Sequence, residues 1–205
     1  MRFVLRSMEP GDVPQVAAID RLAFPTPWPP SAFRSEIARD CATYLVLHNP
    51  GPGDGHSTAE TAPSWFSRLF RVQEDRRVEG YVGFRVQDGR GHITTIALRP
   101  DWRGQGLGEY LLAVALSRLV SSNVSTVTLE MRPSNEIAYR LYAKYGFRVI
   151  HLRRKYYRDG EDAWVMAVDL SDEAYRRRLG ERRRAVLKRL DDEHIEVGQS
   201  SDGDL

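Results

Sequence analysis

A glycine-rich turn between a predicted strand and a predicted helix constrains this chain more than any other feature. Residues 92–98 have the apolar and β-branched composition of a strand, and residues 106–121 place apolar side chains at helical spacing. The turn reads Arg103-Gly104-Gln105-Gly106-Leu107-Gly108-Glu109. Glycine lets a ligand approach the backbone closely, and the first turn of a helix presents unpaired N–H groups at the positive end of its dipole. The turn therefore predicts a site for a phosphate or diphosphate group, to which Arg103 would add charge.

Three phosphate-bearing ligands compete for this turn. A P-loop for nucleoside triphosphates needs Lys and then Ser or Thr after the last glycine, whereas Glu109 and Tyr110 follow Gly108. A dinucleotide-binding fold needs G-x-G-x-x-G after its first strand. Here several predicted strands come first and the glycines alternate, although Glu130 lies about where the ribose-binding acid would. The third ligand is the 3′-phospho-ADP part of coenzyme A, and a turn with a structural role alone is the remaining interpretation.

The rest of the chain predicts a mixed α/β domain. Helices are predicted over 13–24, 31–39 and 135–145, and strands over 3–7, 43–47, 78–87, 126–131, 147–152 and 163–170. Asp12 and Ser31 are expected to cap the first two helices, and Gly146 is expected to end the third. A length of 205 residues with 41% hydrophobic residues suits one soluble domain, which we assign to residues 1–170.

Two segments exceed such a domain. Residues 49–77 are rich in Gly, Pro, Ser and Thr and are predicted as a loop insertion, in which residues 65–70 could form a short helix. This insertion either folds back onto its own domain or acts as a mobile lid or partner contact. Residues 171–190 are predicted as a basic helical extension capped by Ser171, and residues 191–205 as a polar, disordered tail.

Charge and composition exclude several classes of site and partner. Lys and Arg number 30 against 28 Asp and Glu, so the net charge predicts no partner. Cys41 is the single cysteine, which rules out an intramolecular disulfide, and the five histidines are scattered without metal-ligand spacing, so no metal is expected. No window approaches the roughly 18 uninterrupted apolar residues of a membrane span, and we expect a cytoplasmic protein without membrane contact.

The basic extension over 171–190 has two interpretations. Its apolar residues, among them Leu179, Val186 and Leu190, follow helical spacing, which favours a helix docked on its own domain or on a second subunit. Its many arginines also suit contact with ribosomal RNA or an acidic protein, and such binding would weaken with salt.

Four motifs together resemble those of a known family. Arg103-x-x-Gly106-x-Gly108 resembles the R/Q-x-x-G-x-G/A signature of the GCN5-related N-acetyltransferases. The other matches are the stretch from Leu129-Glu130-Met131-Arg132 through Asn135, Ala138, Leu141 and Tyr142 to Gly146-Phe147, then Arg153-Arg154-Lys155-Tyr156-Tyr157, and the weaker Pro27-Trp28. The set is similar to the bacterial ribosomal-protein alanine N-acetyltransferases over roughly residues 2–170. The insertion and the basic extension lie outside the resemblance.

The resemblance implies a fold and a cofactor. In this family two neighbouring parallel strands splay apart and seat the thioester of acetyl-CoA, and here those strands would be 92–98 and 126–131. The expected fold is a mixed central sheet flanked by helices, with the basic helix added. The residues expected to hold acetyl-CoA lie on the first of these strands, on the turn and at the start of a later helix: Ile96, Ala97, Leu98, Arg103, Gly104, Gln105, Gly106, Leu107, Gly108, Glu109 and Asn135.

The resemblance also implies the reacting side chains. Glu130 would be the general base, directly or through a water, and Tyr142 the general acid. Trp28, Tyr156 and Tyr157 would line a groove for the acceptor. A phenol with pKa ~10 facing a thiolate with pKa ~8.5 gives up its proton uphill by about 2 kcal/mol, so Tyr142 is expected to act largely as a hydrogen-bond donor. A surface glutamate and ordinary packing aromatics are the alternative interpretations.

The function implied by the resemblance is transfer of acetyl from acetyl-CoA to the N-terminal α-amine of a protein, here an alanine-starting small-subunit ribosomal protein. A terminal amine with pKa ~8 needs less help from a base than a lysine with pKa ~10.4. Two alternatives stay open. One is the same enzyme class acting on a lysine or a small-molecule amine, and the other is a non-catalytic module that binds coenzyme A or the ribosome.

Overall fold

The computed structural model describes residues 1–50 and 77–199. Residues 51–76 lie outside the described residues, and they hold most of the predicted 49–77 insertion with its possible helix over 65–70. Residues 200–205 of the predicted tail also lie outside them. Among the described residues, no helix is long and apolar enough to cross a bilayer.

The described residues form one mixed sheet flanked by helices. The strands are β1 (Arg2–Ser7), β2 (Ala42–Asn49), β3 (Arg77–Gln87), β4 (Arg90–Leu98), β5 (Thr126–Met131), β6 (Arg148–Arg153), β7 (Ala163–Asp169) and β8 (Glu196–Gln199). The helices are α1 (Val13–Ala23), α2 (Pro30–Ile37), α3 (Leu107–Ser121), α4 (Glu136–Lys144) and α5 (Glu173–Asp192). The strand order is β6-β7-β5-β4-β3-β2-β1-β8. The predicted α/β class with a C-terminal basic helix is confirmed.

The sheet opens between its two central parallel strands. β4 and β5 pair only at Arg90↔Thr126, Gly91↔Val127 and His92↔Thr128. β5 continues to Met131 in antiparallel register with β7, and β4 continues to Leu98 in antiparallel register with β3. Beyond His92 the facing edges of β4 and β5 are therefore unpaired with each other. This is the splayed pair of strands that the sequence motifs predict.

Two hydrophobic cores lie on opposite faces of the sheet. Successive strand residues point to opposite faces, so Tyr81 belongs to the core under α1 and α2 while Val82 belongs to the core under α3 and α5. α3 is buried along most of its length, including the unbroken run from Tyr110 to Leu116. A helix that is apolar all round must be covered on both sides, and α5 supplies the second cover with Leu179, Val186 and Leu190.

None of the three predicted caps bonds its helix through its side chain. Asp12 stands at the N-cap position of α1, but its carboxylate accepts the N–H of Glu9 at 2.8 Å. α2 begins at Pro30 rather than after Ser31, because proline suits the first position of a helix, where no N–H bond is needed. α5 is capped by Asp172, whose carboxylate accepts the N–H of Ala174 at 2.9 Å, while the hydroxyl of Ser171 donates to Asp169. The cap position moves from Ser31 to Pro29 in α2 and from Ser171 to Asp172 in α5, and both helices stay in place.

The prediction of a disordered tail from residue 191 is wrong in its first part. α5 extends to Asp192, Ile195 is buried, and Glu196–Gln199 forms β8. β8 pairs in parallel with β1, from Arg2↔Glu196 to Leu5↔Gln199. Without it, β1 would be an edge strand with a row of unpaired N–H and C=O groups. The C-terminal segment therefore completes the sheet.

Candidate active site

The glycine-rich turn leads into α3 through left-handed backbone. Gly104 has φ +78°, and Gly106, the residue before α3, has φ +85°, a region that residues with a Cβ atom rarely adopt. A Cβ atom on Gly106 would also lie 2.7 Å from Nη2 of Arg189. The N–H groups of the first turn of α3 have no acceptor inside the helix. The backbone here therefore presents donors that fit a diphosphate.

Polar side chains of the turn hold its shape. Nε of Arg103 donates to the carbonyl of Leu98 at 3.3 Å, and its Nη2 donates to the carbonyl of Leu22 at 3.2 Å. Nε2 of Gln105 donates to the carbonyl of Asp101 at 2.7 Å. Arg103 thus ties the turn to the end of β4 and to α1. Direct contact between Arg103 and a phosphate stays a prediction.

Glu109, in the first turn of α3, is held by three side chains. Its carboxylate lies 2.6 Å from Nζ of Lys144 and 3.0 Å from Nη2 of Arg189, and it accepts the hydroxyl of Tyr145 at 3.2 Å. Burial alone would raise the pKa of Glu109, but the bonds from Lys144 and Arg189 outweigh it and hold the pKa below its ordinary value. Two cations therefore surround the carboxylate of Glu109 in the glycine-rich turn over residues 103–109, which we call the phosphate turn.

The gap between β4 and β5 borders the predicted thioester site. Ile96, Ala97 and Leu98 lie on the part of β4 that has separated from β5, so the backbone groups on that edge have no partner in the neighbouring strand. A ligand with an extended chain of amide and thioester groups can hydrogen-bond to such an edge in the way that an added β-strand does. The structure brings these three residues next to the phosphate turn, because β4 ends at Leu98 and the turn follows within a few residues.

Glu130 lies near the end of β5 with its side chain 12% exposed. Nη1 of Arg153 is 3.1 Å from Oε1, and Nε2 of His92 is 3.3 Å from Oε2. Nδ1 of His92 is 3.0 Å from the hydroxyl of Thr128, so the ring is held at both nitrogens. The carboxylate is therefore oriented from both sides of β5, by His92 of the adjacent β4 and by Arg153 of β6, which lies beyond β7.

His92 is a site residue that the sequence motifs did not identify. Burial chiefly lowers its pKa below the ordinary value, with Arg85 and Arg153 acting in the same direction and Glu130 opposing them. The imidazole is therefore neutral at pH 7. His92 also lines a cavity of about 570 Å³ that includes Arg85, Gln87 and Thr128. In the sequence, His92 is simply the first residue of a predicted strand. That position does not reveal that β4 and β5 pair His92 with Thr128.

Tyr142 is buried in α4, with its ring edge-to-face against Phe147 at 5.7 Å. Burial raises the pKa of Tyr142 well above its ordinary value, and Tyr157 adds to this effect. The raised pKa keeps the phenol protonated at pH 7, so its hydroxyl can act as a donor. Asn135 caps the other end of α4, where its Oδ1 accepts the N–H of Ala138 at 3.0 Å.

The predicted acceptor groove has two sides, and Arg132 joins them. On one side the ring of Tyr157 lies 3.8 Å below the guanidinium carbon of Arg132, and Arg153 stacks over Tyr156 at 5.5 Å. On the other side Nη2 of Arg132 donates to the hydroxyl of Thr26 at 3.2 Å, in the loop between α1 and α2 that carries Trp28.

Trp28 itself is partly packed. Its backbone N–H donates to a carboxylate oxygen of Asp20 at 2.6 Å, and the centre of its ring lies 5.5 Å from that of Phe33. Arg132 was not predicted as a site residue, although it shares a strand face with Glu130. Its further ion pairs with Asp159 and Glu161 tie it to the β6–β7 hairpin.

Comparison with known proteins identifies the family. The model of the acetyltransferase (GNAT) family matches residues 13–147. The chain belongs to this family. A ribosomal protein bS18-alanine N-acetyltransferase of Escherichia coli (strain K12) is 29% identical over 170 residues, 82% of this chain and 97% of the relative. An N-alpha-acetyltransferase of Sulfurisphaera tokodaii is 29% identical over 181 residues, 82% of this chain and 93% of the relative.

A solved structure is similar over the same region. The crystal structure of the ribosomal-protein-S18-alanine N-acetyltransferase from Escherichia coli superimposes with a TM-score of 0.66 at 28% identity. It covers 83% of this chain and 95% of that chain.

The GNAT acetyltransferase described here takes its acetyl group from acetyl-CoA. The left-handed glycines, the unpaired donors of α3 and the free edge of β4 fit this cofactor. Among the described residues, no three His, Cys, Asp or Glu side chains come together as metal ligands. The P-loop and dinucleotide-binding interpretations of the turn are therefore set aside in favour of coenzyme A.

Proposed function

We propose that this GNAT acetyltransferase acetylates the N-terminal α-amine of a protein, and specifically of a small-subunit ribosomal protein that begins with alanine. The observation that carries the proposal is the Glu130 carboxylate, two residues beyond the last β4–β5 pair and 3.3 Å from the imidazole of His92. Burial chiefly raises the pKa of Tyr157 and the charge of Glu130 adds to this effect, so the carboxylate lies near the predicted acceptor groove as well as near the start of the gap.

Glu130 is the general base in this proposal. Acetyl-CoA supplies the acetyl group as a thioester, and the amine displaces the thiolate directly. Glu130 accepts the proton from the attacking amine, directly or through a water, while Arg153 and His92 hold its two oxygens in place. Cys41 lies at the start of β2 and takes no part.

The developing negative charges are met by donors on two elements. Backbone N–H groups on the free edge of β4, along Ile96 to Leu98, stabilise the oxyanion. The hydroxyl of Tyr142 donates a hydrogen bond to the departing sulfur. Because burial raises the pKa of Tyr142, complete proton transfer is less favourable than for an exposed phenol, and hydrogen bonding is its principal contribution.

The acidity of the amine favours a terminal acceptor. At pH 7 about a tenth of a peptide α-amine with pKa ~8 is already neutral, against less than about a thousandth of a lysine with pKa ~10.4. Arg153 holds the Glu130 carboxylate at 3.1 Å, in position to accept a proton that a terminal amine holds only weakly. Both relatives at 29% identity have names that state an alanine or N-alpha acceptor.

Trp28, Tyr156 and Tyr157 form the walls of the peptide site in this proposal. Arg132 fixes the separation of the walls, since it bonds Thr26 on one side and stacks on Tyr157 on the other. Contact of α5 with ribosomal RNA is a further part of the proposal. It would use the outward arginines of α5, because the apolar stripe is buried against α3.

A matched pair of peptides tests the proposal. One peptide begins with a free alanine and contains a lysine, and its twin is identical but acetylated at the N-terminus. We expect thiol release from acetyl-CoA, and a single acetyl added by intact mass, with the free peptide only. Thiol release with both peptides, or with the blocked twin alone, would contradict a terminal acceptor and favour a lysine. If a small-molecule amine is acetylated in preference to the free peptide, the natural acceptor is a small molecule. If coenzyme A binds but no acetyl is transferred to any amine, the protein is a non-catalytic binding module.

A further inference from the structure

The C-terminal helix α5 lies beside the phosphate turn. Nη2 of Arg189 is 3.0 Å from Oε2 of Glu109, and a Cβ atom on Gly106 would lie 2.7 Å from this same nitrogen. Leu190 would lie 3.4 Å from that Cβ atom. The guanidinium of Arg189 is therefore within reach of a ligand bound to the N–H groups of the turn.

A second cationic position lies farther along the same helix. Lys144, Arg178 and Arg182 line a pocket of about 90 Å³, with the rings of Tyr145 and Tyr175 as its walls. Lys144 also bonds Glu109, so this pocket adjoins the first turn of α3. A small pocket that combines three cations with aromatic walls suits a phosphate group on a larger molecule.

The helix period explains why these arginines act together. Arg178, Arg182 and Arg189 are separated by four and seven residues, which places them on one flank of α5. Seven residues advance a helix by about 10 Å. Arg177 and Arg184 lie on the outward face and are exposed. The extension thus presents a line of cations from the phosphate turn to the small pocket.

These cations exceed the carboxylates near them. Lys144 and Arg189 share Glu109, Arg178 is 3.9 Å from Asp172, and Arg182 stacks over Tyr145 at 5.8 Å. Within the described ranges 1–50 and 77–199, Arg182 has no carboxylate within salt-bridge distance. Uncompensated positive charge at this place favours an anion.

We propose that α5 completes the cofactor site: Arg189 binds the diphosphate of coenzyme A, and the pocket of Lys144, Arg178 and Arg182 binds its 3′-phosphate. This rests on the assignment of the turn to coenzyme A, and its three arginines lie outside the family match at 13–147. A ribose separates the two kinds of phosphate in the cofactor, which agrees with two cationic positions along one helix.

Calorimetric titration with coenzyme A and with dephospho-coenzyme A, which lacks only the 3′-phosphate, tests the proposal on the full chain. The variants are R178Q/R182Q, R189Q and the outward control R177Q/R184Q, which removes the same charge from the same helix. Circular dichroism and melting temperature confirm that each variant is folded.

We expect the wild type to bind coenzyme A about tenfold more tightly than the dephospho form, as one charge-assisted contact allows. R178Q/R182Q should lose this preference and keep its affinity for the dephospho form. R189Q should weaken both ligands about tenfold and keep the preference. Equal losses in R177Q/R184Q, a preference that survives in R178Q/R182Q, or no preference in the wild type would overturn the proposal. Since no acceptor is present, failure here is distinct from failure of the proposed α-amine activity.

Discussion

Glu109 and Glu130 are two carboxylates with similar exposure, 10% and 12%, and each lies between two basic side chains. The partners of Glu109 are the ammonium of Lys144 and the guanidinium of Arg189. The partners of Glu130 are Arg153 and a histidine whose pKa is lowered by burial. The carboxylate of Glu109 thus faces two cations, and that of Glu130 faces one cation and an imidazole.

In the proposed mechanism, this difference separates a structural carboxylate, Glu109, from the general base, Glu130. Glu109 joins α3, α4 and α5, and a proton on it would leave two cations without their partner. A proton on Glu130 would leave only Arg153 without its partner, because the second neighbour of the carboxylate is the imidazole of His92. Their positions agree with these two roles: Glu130 lies where β4 and β5 separate, and Glu109 lies at the end of the phosphate turn.

The largest effect should come from Glu130→Gln, which keeps the shape and removes the base. We expect kcat to fall by about 10²- to 10⁴-fold with an alanine-first peptide, because general base catalysis is worth this much. Thiol release measures the rate, and calorimetry should give an unchanged affinity for coenzyme A. Glu109→Gln is the matched control and should retain kcat within a few fold. Equal losses in the two variants would erase the distinction between the sites.

Tyr142→Phe should have the next largest effect, about 10²-fold on kcat, since it removes one donor to a developing charge. The ring still packs on Phe147, so the melting temperature should change little. The control is Tyr139→Phe on the exposed side of α4. A variant at residue 142 with wild-type kcat would show that the leaving sulfur is stabilised elsewhere.

His92→Ala should lower kcat by about tenfold, because it removes one of two groups that orient Glu130. The cavity of about 570 Å³ at this position is open to small solutes, so added imidazole should restore part of the rate. Restoration should require neutral imidazole and increase with pH through its pKa of ~7. The control is Gln87→Ala, since Gln87 lines the same cavity without contacting Glu130. This variant should keep its activity and should not respond to imidazole. Loss of activity without rescue would assign His92 a packing role.

The smallest effect concerns the pH dependence of stability at Glu109. The folded pKa of Glu109 is lowered, so its contribution is complete above the unfolded value of ~4.3 and is lost as pH falls through the folded value. Glu109→Gln should cost about 1 kcal/mol at pH 7, because solvent partly screens the ion pairs. The melting temperatures of variant and wild type should converge between pH 5 and pH 3. A constant difference across this range would contradict the ionised assignment.

Motifs and periodicity led to much of the site, but not to its partners. The glycine turn, Glu130 and Tyr142 lie on elements whose bounds were predicted within one or two residues, because caps, glycines and alternation are local signals. The contact of His92 with Glu130 depends on a three-residue parallel register between β4 and β5. The bridge from Arg132 to Thr26 spans 106 residues of sequence. No local pattern encodes register or such distant pairs.

The sequence by itself determined the order of the elements, the phosphate turn before α3 and the amphipathic character of α5, since each depends on residues within a few positions of one another. Only the tertiary structure decided that α5 brings Arg189 to the turn, that Glu196–Gln199 pairs with β1, and that His92 and Arg153 hold Glu130. The physical reason is that these contacts join segments far apart in the chain. Their free energy depends on three-dimensional distance, which composition and spacing do not record.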